Sequence, residues 1–287
     1  VKIQAAPYEL PLKQPLRLGD RVIHARRGWL LRRNGAAADA CPLPYFSTDA
    51  LGDVEASLAQ ELAQPTASLS WALHALERRG EASVQTAGLA AGTEDTPGGA
   101  HACVKLKVGR RPLREELAAV TRLRQAGAQL RLDGNRALTL DAAKQLADAA
   151  GDALEFLEEP VGPSDLEDAM QQLPIALDET LAAGGPTPTG AVAFVLKPTV
   201  LGAARTLELV AAADDADIPV VVSSAYESAI GRAALIRFAA VVGPDTAHGL
   251  GTGTAFARDF TGWIRTDGDR LTACDGEVPE ELPWADC

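Results

Sequence analysis

QLRLDGNRALTLDAAKQLADAAGDALEFLEEP, residues 129–160, carries the pattern that decides the fold. Gln129–Asp133 is a short apolar run that reads as a strand. Thr139–Ala150 places apolar residues three and four apart, the spacing of an amphipathic helix. Leu154–Glu158 is a second short apolar run. Strand, helix and strand within one such stretch form a βαβ unit, and its two strands run parallel. Both strands end on a carboxylate, Asp133 and Glu158.

The same unit repeats outward in both directions. Ala82–Leu89 (ASVQTAGL), Cys103–Lys107 (CVKLK), Pro174–Asp178 (PIALD), Ala193–Lys197 (AFVLK), Ile218–Ser223 (IPVVVS) and Thr246–Leu250 (TAHGL) complete eight candidate strands. Leu113–Ala126, Ala203–Asp215 and Ala229–Val241 read as helices between them, Leu166–Gln172 as a weaker one, and the glycine-rich 178–193 connection holds no long helix. The expectation is an α/β fold, a modified (β/α)8 TIM-type barrel. Its span falls short of the usual ~250 residues, so some helices are short or missing. An open doubly wound sheet is the alternative, but no GxGxxG fingerprint follows a strand. Upstream, residues 1–80 read as α+β: Arg21–Arg33 is strand-like, PLP (42–44) interrupts, and Ser47–Leu62 and Ala67–Arg79 are helical. Gly92–Gly99 is a loop by composition.

The net charge of −12 and the absence of a basic stripe argue against nucleic acid as a partner. No run approaches a membrane span, and the four cysteines match no zinc or redox spacing. The N-terminus shows no leader pattern, so a reducing cytoplasm with free thiols is the simplest expectation. An acidic chain repels anions at long range, so a small carboxylate substrate needs local positive charge to capture it.

The informative residues stand at strand ends. Lys107, Asp133, Glu158, Asp178 and Lys197 follow one another at steps of 26, 25, 20 and 19 residues. In a barrel this sets all five on the C-terminal rim, where barrel enzymes carry their sites. Three converging carboxylates repel one another unless a cation intervenes. Hard oxygen donors without His or Cys favour Mg²⁺, with Mn²⁺ as second choice, over Zn²⁺. The chain has only six lysines against 21 arginines, yet Lys105, Lys107 and Lys197 lie in apolar strand runs. Lysine can give up its proton where arginine cannot. Lys105 and Lys107 point to one side of a strand, and a neighbouring ammonium is expected to lower the pKa of the base. Singly, Asp133-Gly134-Asn135 is an ordinary turn. The order and spacing of the five residues carry the reading.

KLK (105–107), LDGN (132–135), LEEP (157–160), LDET (177–180) and LKP (196–198) occur in an order that resembles the enolase superfamily, in its muconate lactonizing enzyme-like subgroup. PLPYFS (42–47), SSAYESAIG (223–231), HGLGTGTAF (248–256) and the Arg131–Asp133 pair resemble the o-succinylbenzoate synthase family within it. Ala38-Asp39-Ala40 departs from the Gly-Glu that relatives often carry there. The resemblance implies a capping domain from residues 1–80, a barrel over 81–260, and a segment 261–287 returning to the cap. It implies Asp133, Glu158 and Asp178 as metal ligands, Lys107 as the base, and Lys197 facing it across the substrate. Glu159 and Glu179 would support the ligands. Lys105, Arg131, Asn135, Ser223, Ser224 and Gly249 would contact substrate, and Leu12–Arg26 would be a mobile closing loop. The implied reaction is the dehydration of 2-succinyl-6-hydroxy-2,4-cyclohexadiene-1-carboxylate to o-succinylbenzoate through an enediolate, a step of menaquinone biosynthesis. The rivals are an N-acylamino acid racemase or dipeptide epimerase, a muconate-type lactonising enzyme, and a non-catalytic metal-binding barrel.

Overall fold

Residues 2–18, 21–90, 101–185 and 187–287 are described by a computed structural model, so the expected Gly92–Gly99 loop lies outside the described residues. Strand β1 (Gln4–Leu18) pairs antiparallel with β2 (Arg21–Arg33), and β2 with β3 (Ala36–Ala40). Asn34 and Gly35, at φ 52° and 76°, make the two-residue turn between β2 and β3. Left-handed backbone at both turn positions matches the twist of the flanking strands. The segment expected to be a mobile loop, Leu12–Arg26, therefore belongs largely to a strand hairpin, because its backbone groups pair across β1 and β2. Helices α1 (Leu51–Ala59) and α2 (Ala67–Ala75) cover this sheet through Leu31, Ala38, Val54, Leu58, Leu69 and Ala72.

The rest of the chain runs β4 (Ala82–Gln85), β5 (Gly88–Ala90), β6 (Cys103–Lys107), α3 (Leu113–Gln125), β7 (Gln129–Asp133), α4 (Leu140–Ala150) and β8 (Leu154–Glu158). It continues with α5 (Leu166–Met170), β9 (Ile175–Leu177), α6 (Glu179–Ala182), β10 (Ala193–Leu196), α7 (Pro198–Asp215), β11 (Val220–Val222) and α8 (Ala229–Val242). Strands β12 (Ile264–Asp267), β13 (Arg270–Ala273) and β14 (Ala285–Asp286) end it. Strands β5 to β11 form one parallel sheet in chain order. The chain at His248 and Gly249 closes it, bridging Thr86 beside β5 and Ser223 beyond β11. Its amides donate to the Gln85 and Val222 carbonyls at 2.8 and 2.9 Å. The result is a modified (β/α) barrel in which this single bridging segment stands where an eighth strand, Thr246–Leu250, was expected.

The expected first strand, Ala82–Leu89, also divides. β4 leaves the barrel and pairs with β13, which pairs with β12. Polar Gln85 and Thr86 break the run, their side chains donating to the Asp269 carboxylate and carbonyl at 2.8 and 2.9 Å. Strand β14 pairs with β1, so the chain's last residues lie on the N-terminal sheet. Helix α7 bends at Gly202 (φ 77°), where a Cβ would meet Ala67 of α2 at 3.1 Å. Only glycine combines that backbone with so close a helix contact.

The two parts are joined by buried polar bonds. Asp39 of β3 accepts from the Tyr8 hydroxyl at 2.8 Å and from the Ser228 amide and hydroxyl at 3.0 and 2.8 Å. Ser228 caps α8, its hydroxyl accepting from the Gly231 amide. The buried Arg26 of β2 donates to the carbonyls of Cys41, Pro42 and Tyr226. The Ala-Asp-Ala departure thus sits in the joint between sheet and barrel. Burial pushes the Asp39 carboxyl up to about 6, with the Ser228 and Tyr8 hydrogen bonds working against it.

A raised carboxyl pKa means the folded chain holds that proton more tightly than the unfolded chain. The resulting stabilisation is complete below about pH 4 and is lost as pH rises through about 6. Between these limits the wild type should lose Tm relative to an Asp39→Asn variant. Calorimetric melts across that range, if parallel for the two proteins, refute this role for Asp39.

Candidate active site

Alternation along the barrel strands aims the charged residues inward. Phe156, Ala176, Val195 and Val221 pack with Ala193 as a small cluster inside the barrel. Two positions further along their chains stand Glu158, Asp178, Lys197 and Ser223, on the same side by the two-residue period of a strand. The outward residues Leu106, Leu132, Leu157, Leu177 and Leu196 belong to the larger core beneath the helices. Register aligns the neighbours, with Lys105 opposite Arg131, Lys107 opposite Asp133, and Asp133 opposite Glu158.

The structure brings all five strand-end residues together. Lys105 Nζ lies 2.7 Å from both Glu158 oxygens and 2.9 Å from Asp133 Oδ2. Lys107 Nζ donates to the same Asp133 oxygen at 2.9 Å and to Asn135 Oδ1 at 2.8 Å. Lys197 Nζ donates to Asp178 Oδ2. Burial works to raise Asp133, yet the Lys105 and Lys107 ammoniums hold it below the usual carboxylate range. Glu158 is pushed up to about 7, first by burial, with Asp133 and Asp178 adding to the rise against the pull of Lys105. Asp178 is also raised by burial, with Lys197 opposing. Burial disfavours the Lys105 ammonium, but the carboxylates of Asp133, Glu158 and Asp178 outweigh it and raise its pKa. The two lysines of KLK thus share an oxygen instead of meeting as bare ammoniums.

The loops after the strands are held in place by close contacts. A Cβ on Gly134 would meet Pro160 Cα at 2.6 Å, so the turn after Asp133 passes against the Glu159–Pro160 backbone. Glu159, fully buried, accepts from the Asp178 and Thr180 amides at 3.1 and 2.7 Å and pairs with Arg136 at 2.9 Å. It therefore fixes the backbone that carries Asp178. Asn135 Nδ2 donates to Glu179 Oε1 at 3.2 Å, while Glu179 Oε2 is buried without a partner among the described residues.

A cavity of about 410 Å³ opens above these groups. Lys105, Lys107, Arg131, Asp133, Asn135, Glu158 and Lys197 line it, and so do Ser223, Ser224 and Gly249. Asp178 lines an adjoining cavity of about 290 Å³ that shares Phe46, Glu179, Val195 and Lys197 with the first. Arg131 is less free than expected. It is paired with Glu155 at 2.7 Å, bonded to the Ala247 carbonyl, and laid over the Phe156 ring. Ser224 is bonded to Thr252 at 2.7 Å. The sequence reading missed Arg17, Arg110, Tyr226 and Thr252, which also line the cavity. Arg110 had one signal, its place just beyond KLK; Arg17, Tyr226 and Thr252 fall inside the segments 12–26, 223–231 and 248–256, but only the fold shows that their side chains reach the cavity.

The donor set suits a hard divalent ion: three buried carboxylates, oxygen donors alone, and one orphaned carboxylate oxygen beside them. Burial raises Glu158 most, and the added repulsion from Asp133 and Asp178 is relieved by positive charge. Among the described residues, no three acidic, His or Cys side chains stand closely enough to hold an ion as placed. Lysine ammoniums lie between them, at hydrogen-bond distance from the carboxylates.

Residues 90–277 match the family model described as enolase C-terminal domain-like. The o-succinylbenzoate synthase of Enterobacter sp. (strain 638) is 31% identical over 87% of this chain and 90% of its own length. The crystal structure of o-succinylbenzoate synthase from Thermosynechococcus elongatus BP-1, complexed with Mg in the active site, superposes with a TM-score of 0.69 at 25% identity. It covers 87% of this chain and 92% of that one. The dipeptide epimerase of Methylococcus capsulatus, complexed with Mg and a dipeptide, shares the fold at a TM-score of 0.74 and 22% identity, over 96% of this chain and 98% of that one.

Ligand binding to the folded state alone raises Tm, by about 2.7 kcal/mol of added stability at a hundredfold excess over Kd. Mg²⁺ should therefore raise the wild-type Tm, and Glu158→Gln, which keeps the shape and removes the charge, should blunt the rise. Equal Mg²⁺-dependent shifts in both proteins would place the ion elsewhere.

Proposed function

The chain belongs to the enolase superfamily, among its o-succinylbenzoate synthases, and from that membership we propose that it dehydrates 2-succinyl-6-hydroxy-2,4-cyclohexadiene-1-carboxylate to o-succinylbenzoate in menaquinone biosynthesis. The observation that carries this reading is the meeting of Lys107, Asp133, Glu158, Asp178 and Lys197 at one end of the barrel. Residues 1–80 serve as the cap over an 81–260 barrel, and 261–287 return to the cap, where β14 joins β1.

Asp133, Glu158 and Asp178 hold a divalent ion, Mg²⁺ first and Mn²⁺ second. When bound, it supplies the positive charge that stabilises charge building on the substrate carboxylate. Lys107 is the base. Its Nζ is aimed by Asn135 Oδ1, and as the amine it takes the proton from the carbon bearing the carboxylate. The same Nζ then returns the proton to the departing hydroxyl. One C–H bond and one C–O bond break, water leaves, and the ring becomes aromatic. Lys197 stays an ammonium and faces the charge that develops on the substrate. Lys105 remains charged between Asp133 and Glu158. Ser223, Ser224 and Gly249 border the succinyl end, and Arg131 shapes the floor through its pair with Glu155.

A second reading rests on two lysines lining one cavity. If each serves one face of a carbon acid, the site performs racemisation or epimerisation of N-acylated amino acids or dipeptides. The chain is an enzyme, and a purely structural metal site has no use for these lysines.

Lys107→Ala should lower o-succinylbenzoate formation by roughly a thousandfold, with circular dichroism unchanged and Tm lowered, because buried Asp133 loses one of its two ammonium partners. Lys197→Arg should retain a small part of the rate, because the guanidinium keeps the charge but misplaces it. An ultraviolet assay with and without Mg²⁺ reads both. Near-wild-type turnover by Lys107→Ala removes the base assignment, and deuterium exchange into dipeptides without dehydration selects the second reading.

A further inference from the structure

The cations lining the cavity divide into two kinds. Lys105, Lys107, Lys197 and Arg131 are each paired with a carboxylate of the protein. Among the described residues Arg110 has no ion pair, and its side chain is held by one bond, from Nη2 to Asn135 Oδ1 at 3.2 Å. Lys107 donates to that same oxygen, and the guanidinium also lies within electrostatic reach of Tyr226, in the segment that carries Ser223 and Ser224.

The backbone beneath Arg110 is fixed. Strand β6 ends at Lys107, and Gly109 turns the chain with φ 79°. The buried Glu116 carboxylate, in the first turn of α3, accepts the amides of Gly109, Arg110 and Arg111 at 2.9, 2.9 and 3.0 Å. Three successive amides on one carboxylate leave the backbone little freedom. On the same cavity stands Tyr226, whose left-handed backbone (φ 60°) is gripped by Arg26 through its carbonyl at 3.1 Å. A guanidinium presents a planar fork that matches a carboxylate with two parallel hydrogen bonds. In a chain of net charge −12, a guanidinium on the cavity wall without an ion pair among the described residues is placed to attract an anion.

The substrate proposed above carries two carboxylates, one on the reacting carbon and one at the end of the succinyl arm. We propose that Arg110 receives the second, distal carboxylate and so sets the preference for a diacid; this rests on the reading of the reaction given above. Arg17 is the other exposed arginine on the cavity without an ion pair among the described residues. It lies on the cap hairpin, and its backbone lacks the carboxylate clamp that holds Arg110.

The test compares o-succinylbenzoate with 2-butanoylbenzoate, the same skeleton without the distal acid, as inhibitors of wild type, Arg110→Gln, Arg110→Lys and Arg17→Gln. Turnover of the cyclohexadiene diacid is measured in parallel. Arg110→Gln should raise KM and the diacid's inhibition constant roughly ten- to hundredfold, affect kcat far less, and leave 2-butanoylbenzoate binding near wild type. Arg110→Lys should recover part of the loss, and Arg17→Gln should keep the wild-type ratio between the two inhibitors. Equal weakening of both inhibitors by Arg110→Gln, no weakening of the diacid, or a loss of discrimination in Arg17→Gln instead, each overturns the proposal while wild-type turnover leaves the reaction standing. Absence of wild-type turnover overturns the reaction and this inference with it.

Discussion

Three carboxylates buried side by side are the constraint that organises this molecule. Asp133, Glu158 and Asp178 are each at most 4% exposed, and none can shed its charge into water. In the interior such charges are strongly unfavourable unless matched. The chain matches them with lysines on neighbouring strands, at the register the parallel sheet imposes. The same alternation that buries Phe156, Ala176, Val195 and Val221 points these groups into one space. Fold and site are thus one arrangement: a slip of one residue in any of these strands would turn its charge into the apolar layer beneath the helices.

That arrangement needs a stable roof. The cap is tied to the segment after β11 through Asp39 and Ser228 and through Arg26 and the Tyr226 carbonyl. Ser223, Ser224 and Tyr226 of that segment line the cavity. A joint that fixes cap to barrel therefore also fixes one wall of the site. Asp39 and Arg26 in it each make several hydrogen bonds to fixed partners, which suits a positional role.

Much of this was legible in the sequence because it depends on local periodicity. Runs ending in Lys107, Asp133, Glu158, Asp178 and Lys197 announce parallel strands and a shared rim, and the structure brings the five together. What escaped is set by bonds between distant residues. The departure of β4 from the barrel follows from Gln85 and Thr86 meeting Asp269, about 180 residues on. Strand β2 was legible as the strand-like run Arg21–Arg33, but β1 and its pairing with β2 were hidden because β1 alternates weakly and carries a polar stretch. Glu159 was placed near the ligands by resemblance, but its grip on the Asp178 and Thr180 amides needs the fold. Glu116 beneath Arg110 gave no signal at all, since a glutamate in a first helical turn is ordinary.

The division of labour between lysine and arginine connects these observations. Arginine keeps its proton in a protein, so it suits permanent bonds: Arg26 to three carbonyls, Arg131 to Glu155, Arg136 to Glu159. Lysine can release its proton when its surroundings become more positive. Half of the chain's six lysines stand where the carboxylates meet. As it stands, three ammoniums balance three carboxylates there. The carboxylates hold the Lys105 and Lys197 ammoniums in their charged form, and positive charge added among those carboxylates weakens that hold. Lysine is thus gathered at the carboxylates, while arginine holds the frame around them.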